Sequence, residues 1–146
     1  MIFLDANFFI NLYIETNENH ERAKEINDKI AEKEKIISRL VLAEVITVLN
    51  MKIKASNEQI KNIYKQLDNN FDIIEDHYFH DKALEKLLKY DEKDLSLFDC
   101  VYMALMEELG IKEIATFDSH FDNKEEITRI LSWKLNFSDK FTWYHV

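Results

Sequence analysis

Four acidic residues stand where solubility does not account for them. Asp5 ends the apolar run Ile2-Phe3-Leu4, and Asp118 follows Ile114-Ala115-Thr116-Phe117. Glu44 lies inside the apolar stretch 40–49, where a carboxylate without a partner is costly. Asp99 falls in the first turn of a helix opened by Ser96, where free N–H groups and the helix dipole favour an anion. Brought together, four carboxylates repel one another and some are driven to keep their protons. A hard divalent ion such as Mg²⁺ or Mn²⁺ relieves that repulsion, because it prefers oxygen donors. The chemistry it supports is activation of a water and stabilisation of charge on a phosphoryl oxygen, so this residue set predicts phosphodiester hydrolysis.

Other reactive side chains read more simply. His77 and His80 are one turn apart and flanked by Asp76 and Asp81, but no third convergent ligand suits zinc, and a polar helix start is expected. His120 lies nearest the acids; a turn residue is the simpler role, with substrate contact as the alternative. Cys100, the single cysteine, is read as a small core residue and excludes an internal disulfide framework. Lys52, Lys54, Lys61 and Lys65 against Glu58 give a local excess of positive charge. With Arg39, they form an expected rim for a nucleic-acid backbone, a solvated helix face being the plainer reading. Residues 132–146 are rich in aromatics, and packing against the domain or a twin subunit is expected of them rather than base stacking.

The elements that must position the acids follow from periodicity, since one glycine and no proline leave little punctuation. Strands are expected at 2–5, 35–38, 71–75, 114–117 and 127–131. Helices are expected at 7–14, 20–34, from 40 to beyond 49, from a Ser56 cap to 69, at 77–90, and from the Ser96 cap to Gly110. Strands alternating with helices indicate an α/β domain with a mainly parallel sheet. In such sheets functional groups gather beyond the carboxyl ends of the strands, which is where Asp5 and Asp118 fall.

The chain has 146 residues, 47% hydrophobic and 32% charged, a size that buries a full core as one domain, residues 1–146. No apolar run approaches the roughly 20 residues of a bilayer span. With no basic leader at the N-terminus, a cytoplasmic protein is expected. Nineteen basic against 28 acidic residues give a net charge of −9, the wrong sign for generic nucleic-acid binding unless the acids serve a metal.

In order along the chain stand Phe3-Leu4-Asp5-Ala6-Asn7, then Ser38-Arg-Leu-Val-Leu-Ala-Glu44, then Leu95-Ser-Leu-Phe-Asp99, then Thr116-Phe-Asp118-Ser-His-Phe121. This ordered set resembles the PIN domain, most nearly the VapC-type toxin ribonucleases of toxin–antitoxin systems, over positions 1 to about 131. The resemblance implies a three-layer α/β domain with a mainly parallel five-stranded sheet flanked by helices. It also implies a Mg²⁺- or Mn²⁺-dependent endoribonuclease, an RNA substrate and a small antitoxin partner; a homodimer is expected as well. Asp5, Glu44, Asp99 and Asp118 match the family's acidic quartet, and Asn7 and Thr116 its accessory polar positions. Asp122 and Asp94 are further acids beside the motif. The alternative is a catalytically silent PIN-like module that binds RNA or protein. A phosphatase of another α/β family fits poorly, since Asp5-Ala-Asn7 lacks the second acid of a D-x-D pair.

Overall fold

The computed structural model describes residues 1–131; the aromatic segment 132–146, expected to pack against the domain or a twin subunit, lies outside the described residues. In chain order the elements are β1 (Ile2–Leu4), α1 (Ala6–Tyr13), α2 (His20–Lys29), β2 (Lys35–Ser38), α3 (Arg39–Val48), α4 (Asn57–Asn70), β3 (Asp72–Ile74), α5 (His80–Tyr90), α6 (Leu97–Leu109), β4 (Glu113–Ala115) and β5 (Thr128–Arg129). All five strands pair in parallel, in the order β3-β2-β1-β4-β5. The expected α/β class and parallel sheet are therefore present.

β1 is the central strand, and Ile2, Phe3 and Leu4 are all buried, as a strand covered on both faces requires. The connections β1 to β2 and β2 to β3 step outward in one direction. The connection β3 to β4 then crosses back to the other side of β1. With right-handed crossovers, α1 to α4 cover one face and α5 with α6 the other. The helix contacts fall into the same groups: α1 with α2 and α3, α3 with α4, and α5 with α6. The reversal places a switch point between the carboxyl ends of β1 and β4, the usual site of function in open α/β sheets.

Capping decides most helix starts. Ser38, Ser56 and Ser96 accept hydrogen bonds from the backbone N–H three residues on, at Val41, Gln59 and Asp99. Gly110 ends α6 in the left-handed region (φ 70°). α3 does not simply continue past residue 49: the chain widens into a π-helical turn, Leu49–Ile53, stopped by Lys54 in the left-handed region. The helix expected from 77 opens instead as a 3₁₀ turn, His77–Phe79. There Asp76, buried, accepts from the Leu40 N–H at 2.6 Å at the start of α3, and His80 Nε2 lies 3.3 Å from the same carboxylate. His80 thus stands against the carboxylate that caps α3, while His77 opens the 3₁₀ turn.

Two strands are shorter than their apolar runs. β4 stops at Ala115 because the next backbone donors turn to side chains: Phe117 N–H to Asn7 Oδ1 (3.0 Å) and Asp118 N–H to Thr116 Oγ1 (3.0 Å). β5 keeps only Thr128 and Arg129 in the ladder at the sheet edge. Before it, Asn123, Glu125 and Glu126 adopt positive φ. That turn is pinned by Lys86 to Glu125 (2.7 Å), Lys124 to Glu92 (2.8 Å) and Arg129 to Asp122. No helix among the described residues is long and apolar enough to cross a membrane.

Candidate metal centre

Asp5 comes directly off β1 and caps α1. Its Oδ1 accepts from the Ala6 N–H and its Oδ2 from the Thr116 hydroxyl, each at 2.7 Å. The residue is 4% exposed. Thr116, at the end of β4, has one hydroxyl proton; it serves Asp5, while the oxygen accepts from Asp118 N–H. Asn7 Oδ1 accepts from Phe117 N–H and lies 3.2 Å from the Thr116 hydroxyl. Asn7 and Thr116 therefore lock the ends of β1 and β4 together and fix where Asp5 and Asp118 stand.

Asp99 projects from the first turn of α6, its own N–H bonded to Ser96 Oγ at 3.0 Å. Glu44 reaches in from the second turn of α3 and accepts a hydrogen bond from the Tyr102 hydroxyl of α6. Asp118 follows β4 and caps the 3₁₀ turn Ser119–Phe121, with Oδ1 accepting from His120 N–H at 2.8 Å.

These four carboxylates are mutually repelling neighbours: Asp5 with Glu44, Asp99 and Asp118, Glu44 with Asp99 and Asp118, and Asp99 with Asp118. Burial pushes the Asp5 pKa up to about 7, with Glu44 and Asp118 adding to the rise against the Thr116 and Ala6 hydrogen bonds. Asp99 is likewise raised to about 7, by burial and then by Asp5 and Asp118. Burial raises Glu44 as well, opposed by the Tyr102 hydroxyl and reinforced by Asp99 and Asp118. A set of oxygen donors that cannot all ionise comfortably on their own is the donor chemistry a hard divalent ion matches. The residues present fit a divalent ion such as Mg²⁺ or Mn²⁺, which Asp5, Glu44, Asp99 and Asp118 could hold.

The sequence did not assign two participants. Tyr102 lies in the apolar run of α6, where nothing but its hydroxyl distinguishes it from a core aromatic. His120 enters the acid cluster: Asp99, Asp118 and His120 each offer one ligand atom within 4.8 Å of the others. Burial disfavours its charged ring, yet Asp94 and Asp118 outweigh that and hold its pKa above the ordinary value. Its position one residue past Asp118-Ser119 was the available signal.

The remaining expected residues sit at the margin or outside. Asp122 spends both oxygens on Arg129, at 2.7 and 2.8 Å. Arg39, at the start of α3, is exposed and shared between Glu75 (3.2 Å) and Asp68 (3.4 Å). Lys52 and Lys54 are exposed at the π turn, with no ion-pair partner among the described residues. At 1.5 Å per residue, roughly 7.5 Å of helix axis separates Glu44 from Leu49, where the π turn that carries them begins. Two surface concavities, of about 240 Å³ beside Met106 and Glu125 and about 330 Å³ beside Tyr13 and Gln59, contain none of the four acids.

Solved structures share this architecture. The chain is similar to Mycobacterium tuberculosis VapC20, a toxin described as cleaving the sarcin–ricin loop, at 21% identity and a TM-score of 0.76, over 90% of this chain and 99% of that one. It is similar to FitAcB from Neisseria gonorrhoeae at 15% identity and a TM-score of 0.67, over 92% of this chain and 100% of that one. A toxin–antitoxin complex from Klebsiella pneumoniae matches at 18% identity and a TM-score of 0.67, over 88% and 96%. A comparison with curated protein sequences returned no match. At these identities the structures establish the shared fold, and the sequence itself matches the PIN domain family model across residues 2–127. The chain therefore belongs to the PIN domain family.

Proposed function

We propose that this chain is a divalent-metal-dependent endoribonuclease and the toxin of a toxin–antitoxin pair, acting as one cytoplasmic domain. The observation that carries the reading is the convergence of Asp5, Glu44, Asp99 and Asp118, from four separate elements, at the switch point of the sheet. The toxin and the toxin–antitoxin complex among the similar structures support the biological role.

Mg²⁺ or Mn²⁺, when bound, supplies an activated water and charge stabilisation on a phosphoryl oxygen. The chain does the rest. Thr116 and Asn7 hold Asp5 and Asp118 at the ends of two adjacent strands, so the acids do not have to be ordered at the moment of reaction. Tyr102 holds Glu44 toward the same point. Water attacks phosphorus in line with the departing 3′-oxygen and releases a proton to an ionised carboxylate or to solvent; the P–O3′ bond breaks, the 3′-oxygen takes up a proton to become the 3′-hydroxyl, and the new P–O bond leaves a 5′-phosphate. Lys52 and Lys54, joined by Arg39 if a phosphate displaces its contacts to Glu75 and Asp68, would neutralise flanking phosphates of the RNA. A small antitoxin and a second copy of the chain are the expected protein partners.

The test is cleavage of a panel of structured RNAs by wild type and Asp5→Asn, with Mg²⁺, Mn²⁺ or EDTA. A neutral amide keeps the shape but loses the charge, and the expected loss is roughly 10²–10³-fold, the effect of removing one charge-stabilising group. Circular dichroism checks that the variant folds. Turnover by Asp5→Asn at the wild-type rate, or cleavage undiminished in EDTA, removes the quartet from the reaction.

A further inference from the structure

The His120 ring is carried into the acid cluster by the 3₁₀ turn Ser119–Phe121. Its Nδ1 lies 2.9 Å from Asp118 Oδ1 and 3.8 Å from Asp99 Oδ2. The atom is buried and has no hydrogen-bond partner, although it stands within ion-pair distance of Asp118. The other ring nitrogen, Nε2, is 3.1 Å from Asp94 Oδ2, on the loop between α5 and α6.

A carboxylate on one ring nitrogen fixes the proton there and leaves the lone pair of the other nitrogen facing away. That carboxylate–histidine pair is the usual way proteins orient a histidine toward a metal. Here the nitrogen so exposed is Nδ1, the atom beside Asp99 and Asp118. Donors that share one octahedral ion at about 2.1 Å stand about 3 Å apart when adjacent and about 4 Å apart when opposite. The observed 2.9 and 3.8 Å separations fall within that span. Asp94, on the surface, has its carboxylate on this ring across 26 residues of sequence.

We propose that His120, oriented by Asp94, supplies a nitrogen ligand to the divalent ion held by Asp99 and Asp118, and so tilts the site from Mg²⁺ toward a first-row transition ion. The inference rests on the metal-dependent reading above and names the metal preference within it. Mg²⁺ takes oxygen ligands and keeps several waters, whereas imidazole binds first-row transition ions more readily. A site of carboxylates alone leaves Mg²⁺ on equal terms; one nitrogen among them does not.

The test uses Mn²⁺ as the probe on the full chain, followed by electron paramagnetic resonance titration and electron spin-echo modulation. Wild type is expected to show a directly bonded nitrogen whose coupling changes on nitrogen-isotope labelling of histidine, and His120→Ala to lose it. Mn²⁺ affinity should fall about 10-fold or more in His120→Ala and about 10-fold in Asp94→Asn, the cost of losing an orienting partner. Mg²⁺ affinity, read by competition, should change much less. The wild-type spectrum needs no variant, and Asp94→Asn alters only an exposed side chain, so misfolding of His120→Ala would not shield the proposal. Bound Mn²⁺ without nitrogen coupling, or equal losses of Mg²⁺ and Mn²⁺ affinity in His120→Ala, overturns the nitrogen ligand and leaves the quartet standing. Absence of Mn²⁺ binding to wild type, or binding untouched by Asp99→Asn, overturns the metal reading and this inference with it.

Discussion

The buried Tyr102 hydroxyl donates a hydrogen bond to Glu44 Oε1 and so ties α6 to α3 across the acid cluster. The Tyr102 ring packs on Phe3 of the central strand, with centroids 5.2 Å apart. One side chain therefore touches the middle strand and two of the helices that carry acids. Burial and the neighbouring Glu44 charge hold the phenol pKa far above its ordinary value, so the hydroxyl stays a donor.

Replacing Tyr102 by Phe keeps the ring and removes the donor. A hydrogen bond to a charged group contributes roughly 1.5–3 kcal/mol. Tyr102→Phe is expected to lower stability by that order in urea melts and to weaken divalent-ion binding by roughly 10-fold, since Glu44 loses the group that aims it. An unchanged Mn²⁺ titration would show that Glu44 is positioned by α3 alone.

The raised acids set a pH dependence for the metal-free protein. Asp5 has an ordinary pKa of 3.8 and is held at about 7 in the fold. Between those values the folded form binds more protons than the unfolded chain. Stability is therefore full at the acid end and lost as pH rises toward and through 7. Melting in EDTA should show lower stability at pH 8 than at pH 5, with a ceiling on the order of 4 kcal/mol from Asp5. Asp5→Asn should flatten the slope and melt higher than wild type at pH 8. A melting temperature that rises with pH in EDTA would contradict the burial of these charges.

A divalent ion should reverse that slope. A ligand bound only by the native state contributes about 2.7 kcal/mol at 100 times its Kd, which for a chain of this size is a shift of roughly 5–10 °C. Calorimetry across millimolar Mg²⁺ and Mn²⁺ should show it, and Asp118→Asn should blunt it. Indifference of the wild-type melting temperature to both ions would favour a silent binding module.

The lysine rim predicts a salt effect separable from catalysis. If Lys52 and Lys54 neutralise two phosphates of single-stranded RNA, Lys52→Gln with Lys54→Gln should reduce the slope of log K against log salt by about 1.4. Metal affinity should stay unchanged, because a lysine ammonium has no lone pair to offer an ion. Fluorescence anisotropy over a salt series makes the measurement. A slope equal to that of wild type would route the RNA past the other side of the quartet.

Asp5 was legible in sequence because Ile2, Phe3 and Leu4 of the central strand are all buried, where an unpaired charge is costly, so the first carboxylate after them marks the strand end. Ser96 and Asp99 were legible for a similarly local reason: a cap and its partner three residues on satisfy the same helix turn. Whatever depends on distant partners was not. Strand order, and with it the switch point that gathers Asp5 and Asp118, comes from which strands pair, and periodicity carries no information on that. β4 stops short of its apolar run because Asn7, more than 100 residues away in sequence, captures the Phe117 N–H. Asp122 resembled a site acid until Arg129 was placed against it. The apolar run of α6 marked Tyr102 as core, which it is, while only the packing of α3 on the same site put Glu44 within reach of its hydroxyl. The local terms, burial and capping, act through neighbours in the chain and are written there; the hydrogen bonds and repulsions that make the site act through space, and only the folded structure decides them.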